Sequence, residues 1–88
     1  MIIGRVTGRV YATIEHPFYE AKTILTVQKI QPDGSDASGY ILAVDTVGAG
    51  AGETVLIVDE GNGARQILQS SDGPVRSVIA GIIDQIAL

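Results

Sequence analysis

The chain has 88 residues, no Cys and one His, so it predicts a single domain over residues 1–88 without a disulfide, a thiolate metal site or a multi-histidine metal site. Its net charge of −4, with two Lys and four Arg scattered along the sequence, argues against nucleic acid as a main ligand. Ile, Val and Thr together supply 27 residues against 5 Leu, and this surplus of β-branched side chains favours strands over helices.

The N-terminal segment alternates between small or apolar residues at even positions and mostly polar residues at odd positions. The pattern runs from Ile2 to Ile14 and predicts one long strand with one buried face. Gly4 and Gly8 lie on the buried face, where glycine often marks strong coiling of the strand or close approach of another backbone. Pro17 ends the strand because it cannot donate a ladder hydrogen bond.

Four more strands are predicted, over residues 22–30, 40–47 and 54–59 and around residues 78–86. A Pro-Asp-Gly-Ser turn begins at Pro32, and the polar stretch after it, up to Gly39, is predicted to be loop. Residues 64–68 predict one short helical turn. Five strands and one helical turn predict an all-β protein with a small closed barrel.

The last predicted strand is apolar on both faces until Asp84. Val78 and Ile82 fall on one face by strict alternation, and Ile79 and Ile83 fall on the other. A strand of a small antiparallel sheet normally has a polar, solvated side. The core available to so short a chain is also marginal. Both observations predict an oligomer in which a neighbouring subunit covers the second face.

The N-terminus and the apolar runs also bear on where the protein acts. The segment before Arg5 is too short for a signal peptide, and no apolar run reaches the length of a membrane span. We therefore expect a cytoplasmic protein without a membrane partner.

Gly48-Ala49-Gly50-Ala51-Gly52 suggests a phosphate-binding loop at first sight. Such loops need a following helix whose N-terminal N–H groups face the phosphate, whereas Thr54 begins a predicted strand. A tight connection between strands is the favoured interpretation. Close backbone approach at a subunit interface or symmetry axis is the other.

Few residues suggest catalysis. His16 has no evident nucleophile beside it in sequence and lies next to a proline, which favours a structural role. Asp45 and Asp84 could form an acid–base pair, but hydrogen bonds to loop N–H groups, or pairing with Arg65 or Arg76, are the favoured interpretation. Single-stranded nucleic acid is a weak alternative for a five-stranded barrel, because the chain has only one Phe and three Tyr and is acidic.

Taken together, three stretches resemble the vertex proteins of bacterial microcompartment shells, the ethanolamine-utilisation and carboxysome vertex family. The first contains Gly4-Arg5-Val6, His16-Pro17 and Leu25-Thr26-Val27-Gln28. The second and most specific is the run AVDTVGAGAGETVL from Ala43 to Leu56. The third contains Gly63-Ala64-Arg65, Pro74-Val75 and the run IAGIID from Ile79. The resemblance extends over essentially the whole chain.

The resemblance implies an OB-like barrel with a structural, non-catalytic role and no cofactor. It also implies a homo-pentamer at the five-fold vertices of a polyhedral shell in the bacterial cytoplasm, in contact with hexameric and trimeric shell proteins. A free-standing oligomeric OB-like binding module is the alternative. The expected subunit interface or five-fold axis is formed by Gly48, Ala49, Gly50, Gly52, Gly61, Asn62, Gly63, Ala64, Arg65, Ile82, Ile83 and Asp84.

Two loop positions depart from the family pattern. Glu60-Gly61-Asn62-Gly63 stands where the family often has a serine-rich stretch, and Arg76 stands where it usually has an acidic residue. The change at Arg76 predicts a local rearrangement of charge. Arg65 is expected to be a polar anchor that binds carbonyl groups or the carboxylate of Asp84 or Asp45.

Overall fold

The five strands in the described part of the chain close into a barrel. The computed structural model describes residues 1–10, 22–60 and 76–86. The strands are β1 (Ile2–Arg9), β2 (Thr23–Ile30), β3 (Asp36–Asp45), β4 (Thr54–Asp59) and β5 (Ser77–Ile82). They pair in the order β1-β2-β3-β5-β4, and β4 pairs back onto β1. Only β3 and β5 run parallel to each other. The predicted all-β, OB-like five-stranded barrel is therefore confirmed. The described residues contain no helix, and the predicted turn at 64–68 lies outside them.

The barrel interior is filled by β-branched side chains at alternate strand positions. Val27, Val55, Ile57 and Ile79 are fully buried, and Val6 is nearly so. Leu25 and Ala43 complete this core cluster. Stiff branched side chains pack well on the inner face of a pleated sheet, so the composition of the chain accounts for its core.

Gly4 lies where β1 is paired on both sides. It is opposite Lys29 of β2 and Val55 of β4. A Cβ atom built there would lie 2.2 Å from Val27 Cγ1 and 3.0 Å from the Gln28 carbonyl oxygen. The close approach expected at this glycine is confirmed.

A β-bulge in β5 changes which of its side chains face the core. Leu56 pairs with Gly81 but Ile57 pairs with Ile79, so Ala80 is the extra residue. Ile79 and Ile82 therefore lie on the same side of the strand, opposite Ile57 and Val55, although Ile82 is 38% exposed at the strand end. The strict alternation expected from the sequence is wrong here. Val78 is fully buried on the opposite side. Its cover comes from this chain, so no neighbouring subunit is needed at that position.

The predicted loop up to Gly39 is wrong, because β3 begins at Asp36. The Gln28 side-chain amide donates to the carbonyl oxygens of Ala37 (2.8 Å) and Gly39 (3.0 Å). Arg5 also binds the Asp36 carboxylate at 2.8 Å. These contacts come from β2 and β1, so local composition did not indicate them.

Three predicted strand ends also differ from the structure, and one is that of β3, which ends at Asp45 rather than at residue 47. β1 ends at Arg9, although the Val10 N–H still donates to the Ile24 carbonyl oxygen at 2.9 Å. The rest of the predicted first strand, from residue 11 to Ile14, lies outside the described residues. β5 ends at Ile82 rather than near residue 86.

Candidate functional site: the glycine-rich loop and the end of strand β5

The glycine-rich loop between β3 and β4 is closed from its first end by Asp45. This residue ends β3, and its carboxylate accepts hydrogen bonds from the N–H groups of Val47 (3.0 Å), Gly48 (3.1 Å) and Ala49 (3.2 Å). Ala49 also packs against the core cluster. The structural interpretation of Asp45, hydrogen bonding to loop N–H groups, is confirmed.

Glu53 closes the same loop from its other end. Its carboxylate accepts from the Gly50 N–H at 2.6 Å, and its own N–H donates to the Gly50 carbonyl at 3.1 Å. The loop is then fastened to β1, because the Gly52 N–H donates to the Val6 carbonyl and the Val6 N–H donates to the Glu53 carbonyl. Gly48 and Gly52 have φ angles of +75° and +89°, which favour glycine.

This hydrogen bonding determines what the loop can bind. A phosphate-binding loop needs several N–H groups directed at the ligand. Here the N–H groups of Val47, Gly48, Ala49, Gly50 and Gly52 all donate to acceptors of the chain itself. A strand also follows the loop, as predicted. The loop is therefore a rigid connection whose carboxylates already occupy the place of an anion.

The end of β5 lies beside this loop. The Ile83 N–H donates to the Thr54 carbonyl oxygen at 2.8 Å, directly after the loop ends at Glu53. The structure thus brings together two of the three predicted interface segments, the loop residues Gly48, Ala49, Gly50 and Gly52 and the stretch Ile82-Ile83-Asp84. The third segment, Gly61, Asn62, Gly63, Ala64 and Arg65, lies outside the described residues.

Exposure differs within these segments. Gly48, Gly50 and Gly52 are exposed, and so is Asp84. Ile82 is 38% exposed despite its apolar side chain, whereas Ile83 is half-buried. Ile82 is therefore the apolar residue at the end of β5 that is available to a partner.

The described residues contain no group of three or more His, Cys, Asp or Glu that could hold a metal ion. They also contain no helix long and apolar enough to span a membrane. His16 lies outside the described residues.

The sequence of β3 concealed an exposed apolar surface. Tyr40 is 71% exposed and Leu42 is 51% exposed, while Ala43 beside them is buried. The near-continuous apolar run of this strand hid the difference between its faces. The signal that could have revealed it is the partner strand, where polar Gln28 and Thr26 lie opposite Tyr40 and Leu42.

Comparison with known proteins identifies the family. The sequence model described as ethanolamine utilisation protein EutN/carboxysome matches residues 1–84. The chain belongs to the EutN/CcmL family. The resemblance found in the sequence is thereby confirmed.

Individual EutN/CcmL relatives agree over nearly the whole chain. The microcompartment shell vertex protein EutN of Escherichia coli K12 is 36% identical over 86 residues, which cover 98% of this chain and 90% of the relative. The structure of Gloeobacter violaceus CcmL has a TM-score of 0.91 at 38% identity. The match covers 100% of this chain and 90% of the CcmL chain. The pentameric microcompartment shell protein GrpN of Rhodospirillum rubrum has a TM-score of 0.87 at 28% identity. That match covers 100% of this chain and 99% of the GrpN chain.

Arg76, which departs from the EutN/CcmL pattern, has a carboxylate partner. Its Nε lies 3.5 Å from Asp59 Oδ1, and the same Asp59 oxygen accepts a short hydrogen bond from the Ser77 hydroxyl. Arg76 therefore pairs with a carboxylate of the same chain, and the rearrangement of charge relative to the family stays a prediction. Arg76 is 79% exposed, so we expect the pair to add little stability.

Asp33→Ala is expected to destabilise the chain at pH 7 and to have less effect at low pH. Hydrogen bonds from the Ser35 hydroxyl and N–H lower the pKa of the Asp33 carboxyl below its ordinary value of 3.8. A lowered pKa stabilises the fold above the unfolded pKa, and this contribution is lost as pH falls through the folded pKa. Urea unfolding of both chains between about pH 7 and pH 2 measures the difference. Ser35→Ala should reproduce part of this pH dependence, whereas a difference constant with pH would contradict it.

Proposed function

We propose that this chain forms pentamers that occupy the five-fold vertices of a polyhedral bacterial microcompartment shell. The observation that carries the proposal is the whole-length match to the EutN/CcmL family, together with the shared barrel of a pentameric shell protein. A heterologous contact that closes after five copies forms a ring, which suits a five-fold position.

The chemistry of the loop supports a structural rather than a catalytic role. In the most distinctive motif of the sequence, the glycine-rich loop, N–H groups donate hydrogen bonds to the carboxylates of the two flanking acidic residues. These groups therefore hold the loop in its own conformation. Such a loop presents a fixed backbone surface to a neighbour, which is what a repeated protein contact requires. The alternative, a free-standing oligomeric OB-like module, would form a ring without affinity for shell proteins.

The proposed contacts between copies lie at the glycine loop and at the end of β5. This proposed surface contains Gly48, Ala49, Gly50, Gly52, Ile82, Ile83 and Asp84. The proposal also includes Gly61, Asn62, Gly63, Ala64 and Arg65. The adjacency of the loop and Ile83 through Thr54 supports treating the first seven as one surface. Arg65 retains its proposed role as polar anchor, with Asp84 as its preferred carboxylate because Asp45 already accepts three loop N–H groups.

Gly50→Val is expected to weaken the pentamer while leaving the barrel folded. Gly50 does not have a positive φ, and a Cβ there would lie 3.4 Å from Glu53 Oε1, an ordinary contact. The side chain is thus tolerated within one subunit and interferes only with a neighbour that approaches closely. Light-scattering chromatography measures the subunit number, and circular dichroism checks the fold.

Gly34→Val is the matched control for this experiment. Gly34 is exposed in the β2–β3 turn with a φ of +91° and no atom within 4 Å of an added Cβ. Its variant should strain the turn but leave the pentamer intact. An unchanged pentamer in Gly50→Val would contradict the placement of the loop at the subunit contact.

The shell role is tested by co-expression with hexameric and trimeric shell proteins, which we propose as partners in the cytoplasm. Electron microscopy should find closed polyhedra when this chain is present and open or tubular assemblies when it is left out. Closed polyhedra in both cases would contradict the vertex role. A pentamer that never associates with the shell proteins would favour the free-standing module.

A further inference from the structure

Two residues of strand β3 expose large apolar side chains. Tyr40 is 71% exposed and Leu42 is 51% exposed, whereas Ile41 and Ala43, which alternate with them, pack in the core cluster. Both exposed side chains therefore project from the outer face of the sheet. We call these two residues the β3 patch.

The polar side chains beside the β3 patch are hydrogen-bonded within the chain. Gln28, opposite Tyr40, donates to two carbonyl oxygens of β3. Thr26, opposite Leu42, has its hydroxyl 2.9 Å from the hydroxyl of Thr7. Polar groups that already have protein partners lose less when a surface is covered than groups that rely on water. The patch is thus an apolar centre with a satisfied polar border, which is the arrangement of a protein contact.

A ring requires two different contact surfaces on each copy. In a cyclic assembly of more than two copies, the surface that meets one neighbour is distinct from the surface that meets the other. The proposed function supplies one surface, the glycine-rich loop and the end of β5. Val47 and Ile82 are the exposed large apolar side chains of that surface. The second surface has to be found elsewhere on the barrel.

Elimination among exposed side chains leads to the β3 patch as the second surface. Apart from Val47 and Ile82, the large apolar side chains exposed in the described part of the chain are those of Met1, Tyr40 and Leu42. Met1 precedes β1, so the two on β3 are the pair presented by a strand. Leu42 also lies three residues before the end of β3, about 10 Å along the strand from the start of the loop. The two surfaces can therefore meet different neighbours.

We propose that the β3 patch of one copy packs on the glycine-rich loop of the next copy around the ring. This inference rests on the proposed function, because it supplies the second surface that the proposed pentamer needs. A second copy is favoured as the occupant because a solved relative with the same barrel is a pentamer.

The chemistry of the two surfaces is complementary. Three glycines of the loop are exposed: Gly48, Gly50 and Gly52. Their lack of side chains allows the ring of Tyr40 to lie directly against the loop backbone. The loop N–H groups donate within their own chain, so the loop offers carbonyl oxygens to a partner. A tyrosine hydroxyl, which needs a hydrogen-bond partner when it is buried, can donate to such an oxygen.

Leu42→Lys is the first test. The variant replaces an exposed apolar side chain, and its positive charge reduces the net charge of −4, so repulsion between acidic copies does not account for a weaker ring. Light-scattering chromatography of a dilution series should show the pentamer dissociating at protein concentrations at least about tenfold higher than in the wild type. Circular dichroism checks that the barrel is folded.

Gln31→Lys is the matched control, because it makes the same change of charge at an exposed residue of the β2–β3 turn. It should dissociate as the wild type does. An unchanged pentamer in Leu42→Lys would overturn the proposal and leave the vertex role standing. A wild type that never forms pentamers would contradict the vertex role, and the proposal with it.

Cross-linking between copies tests the contact without a charged substitution. The chain contains no Cys, so a short bis-maleimide joins only cysteines that are introduced. Leu42→Cys copies and tagged Val47→Cys copies are co-expressed and treated with this reagent. Together they should give a covalent dimer of one copy of each kind, and each alone should give none, because the contact joins two different surfaces. A dimer from Leu42→Cys alone, or none from the mixture, would overturn the proposal.

Discussion

Gly4→Val is expected to prevent formation of the stable barrel. Gly4 is buried between β2 and β4, and its added Cβ would lie 2.2 Å from Val27 Cγ1 and 3.0 Å from the Gln28 carbonyl oxygen. Val27 is itself fully buried, and the carbonyl belongs to the backbone, so neither can move aside freely. Overpacking of this kind costs about 3 kcal/mol or more. That is a large share of the roughly 5–15 kcal/mol that stabilises a small domain.

Gly4→Ala gives the graded form of this prediction. It introduces the same Cβ without the two γ-methyl groups of valine, so the overlap is smaller and the chain should fold with a free energy of unfolding lowered by about 1–3 kcal/mol. Gly81→Ala is the control, because no atom lies within 4 Å of a Cβ at that strand position. Urea unfolding followed by circular dichroism compares the three variants. Equal stability of Gly4→Ala and Gly81→Ala would contradict the close packing of β1 on β2.

Asp45→Ala is expected to have the second largest effect, through the glycine-rich loop. The variant removes the acceptor of three N–H groups at Val47, Gly48 and Ala49. Hydrogen bonds to a charged group contribute about 1.5–3 kcal/mol to stability. The cost is larger when a partly buried N–H group is left without any acceptor after the carboxylate is removed. We expect the free energy of unfolding to fall by about 2 kcal/mol, and the loop amides to exchange hydrogen faster than in the wild type.

Two variants set the scale for Asp45→Ala. Asp45→Asn keeps one carbonyl oxygen and should retain part of the stability. Asp36→Ala breaks an exposed pair with Arg5 and should cost no more than about 1 kcal/mol. If Asp45→Ala unfolds at the same urea concentration as Asp36→Ala, the carboxylate does not hold the loop.

Local signals predict much of this fold. β4 is predicted with its observed bounds, Thr54–Asp59, because a β-branched run between turn residues is a self-contained pattern. The turn after Pro32 is predicted for a similar reason, since Gly34 has the positive φ that the turn requires. The close approach at Gly4 is predicted because a glycine on the apolar face of a strand leaves room for a neighbouring strand or side chain.

The strand features that were predicted wrongly depend on contacts between residues distant in sequence. The start of β3 is set by Gln28 and Arg5, which reach across from other strands. The bulge at Ala80 shifts the inward-facing side of β5 by one residue, and only its pairing with β4 reveals it. Likewise, the sequence allows Asp45 to bond either loop N–H groups or an arginine, and the loop conformation decides between them.

Closure of the sheet has a consequence for how copies of this chain associate. Each of the five described strands has a paired neighbour on both sides. Pairing on both sides shortens the open ladder of N–H and C=O groups onto which a further strand could be added, although β3 and β5 are joined only at residues 44–45 and 78–79. Addition of strands has no inherent end and leads to fibres. We therefore expect copies of this chain to meet through side chains and loops, where geometry limits how many can join.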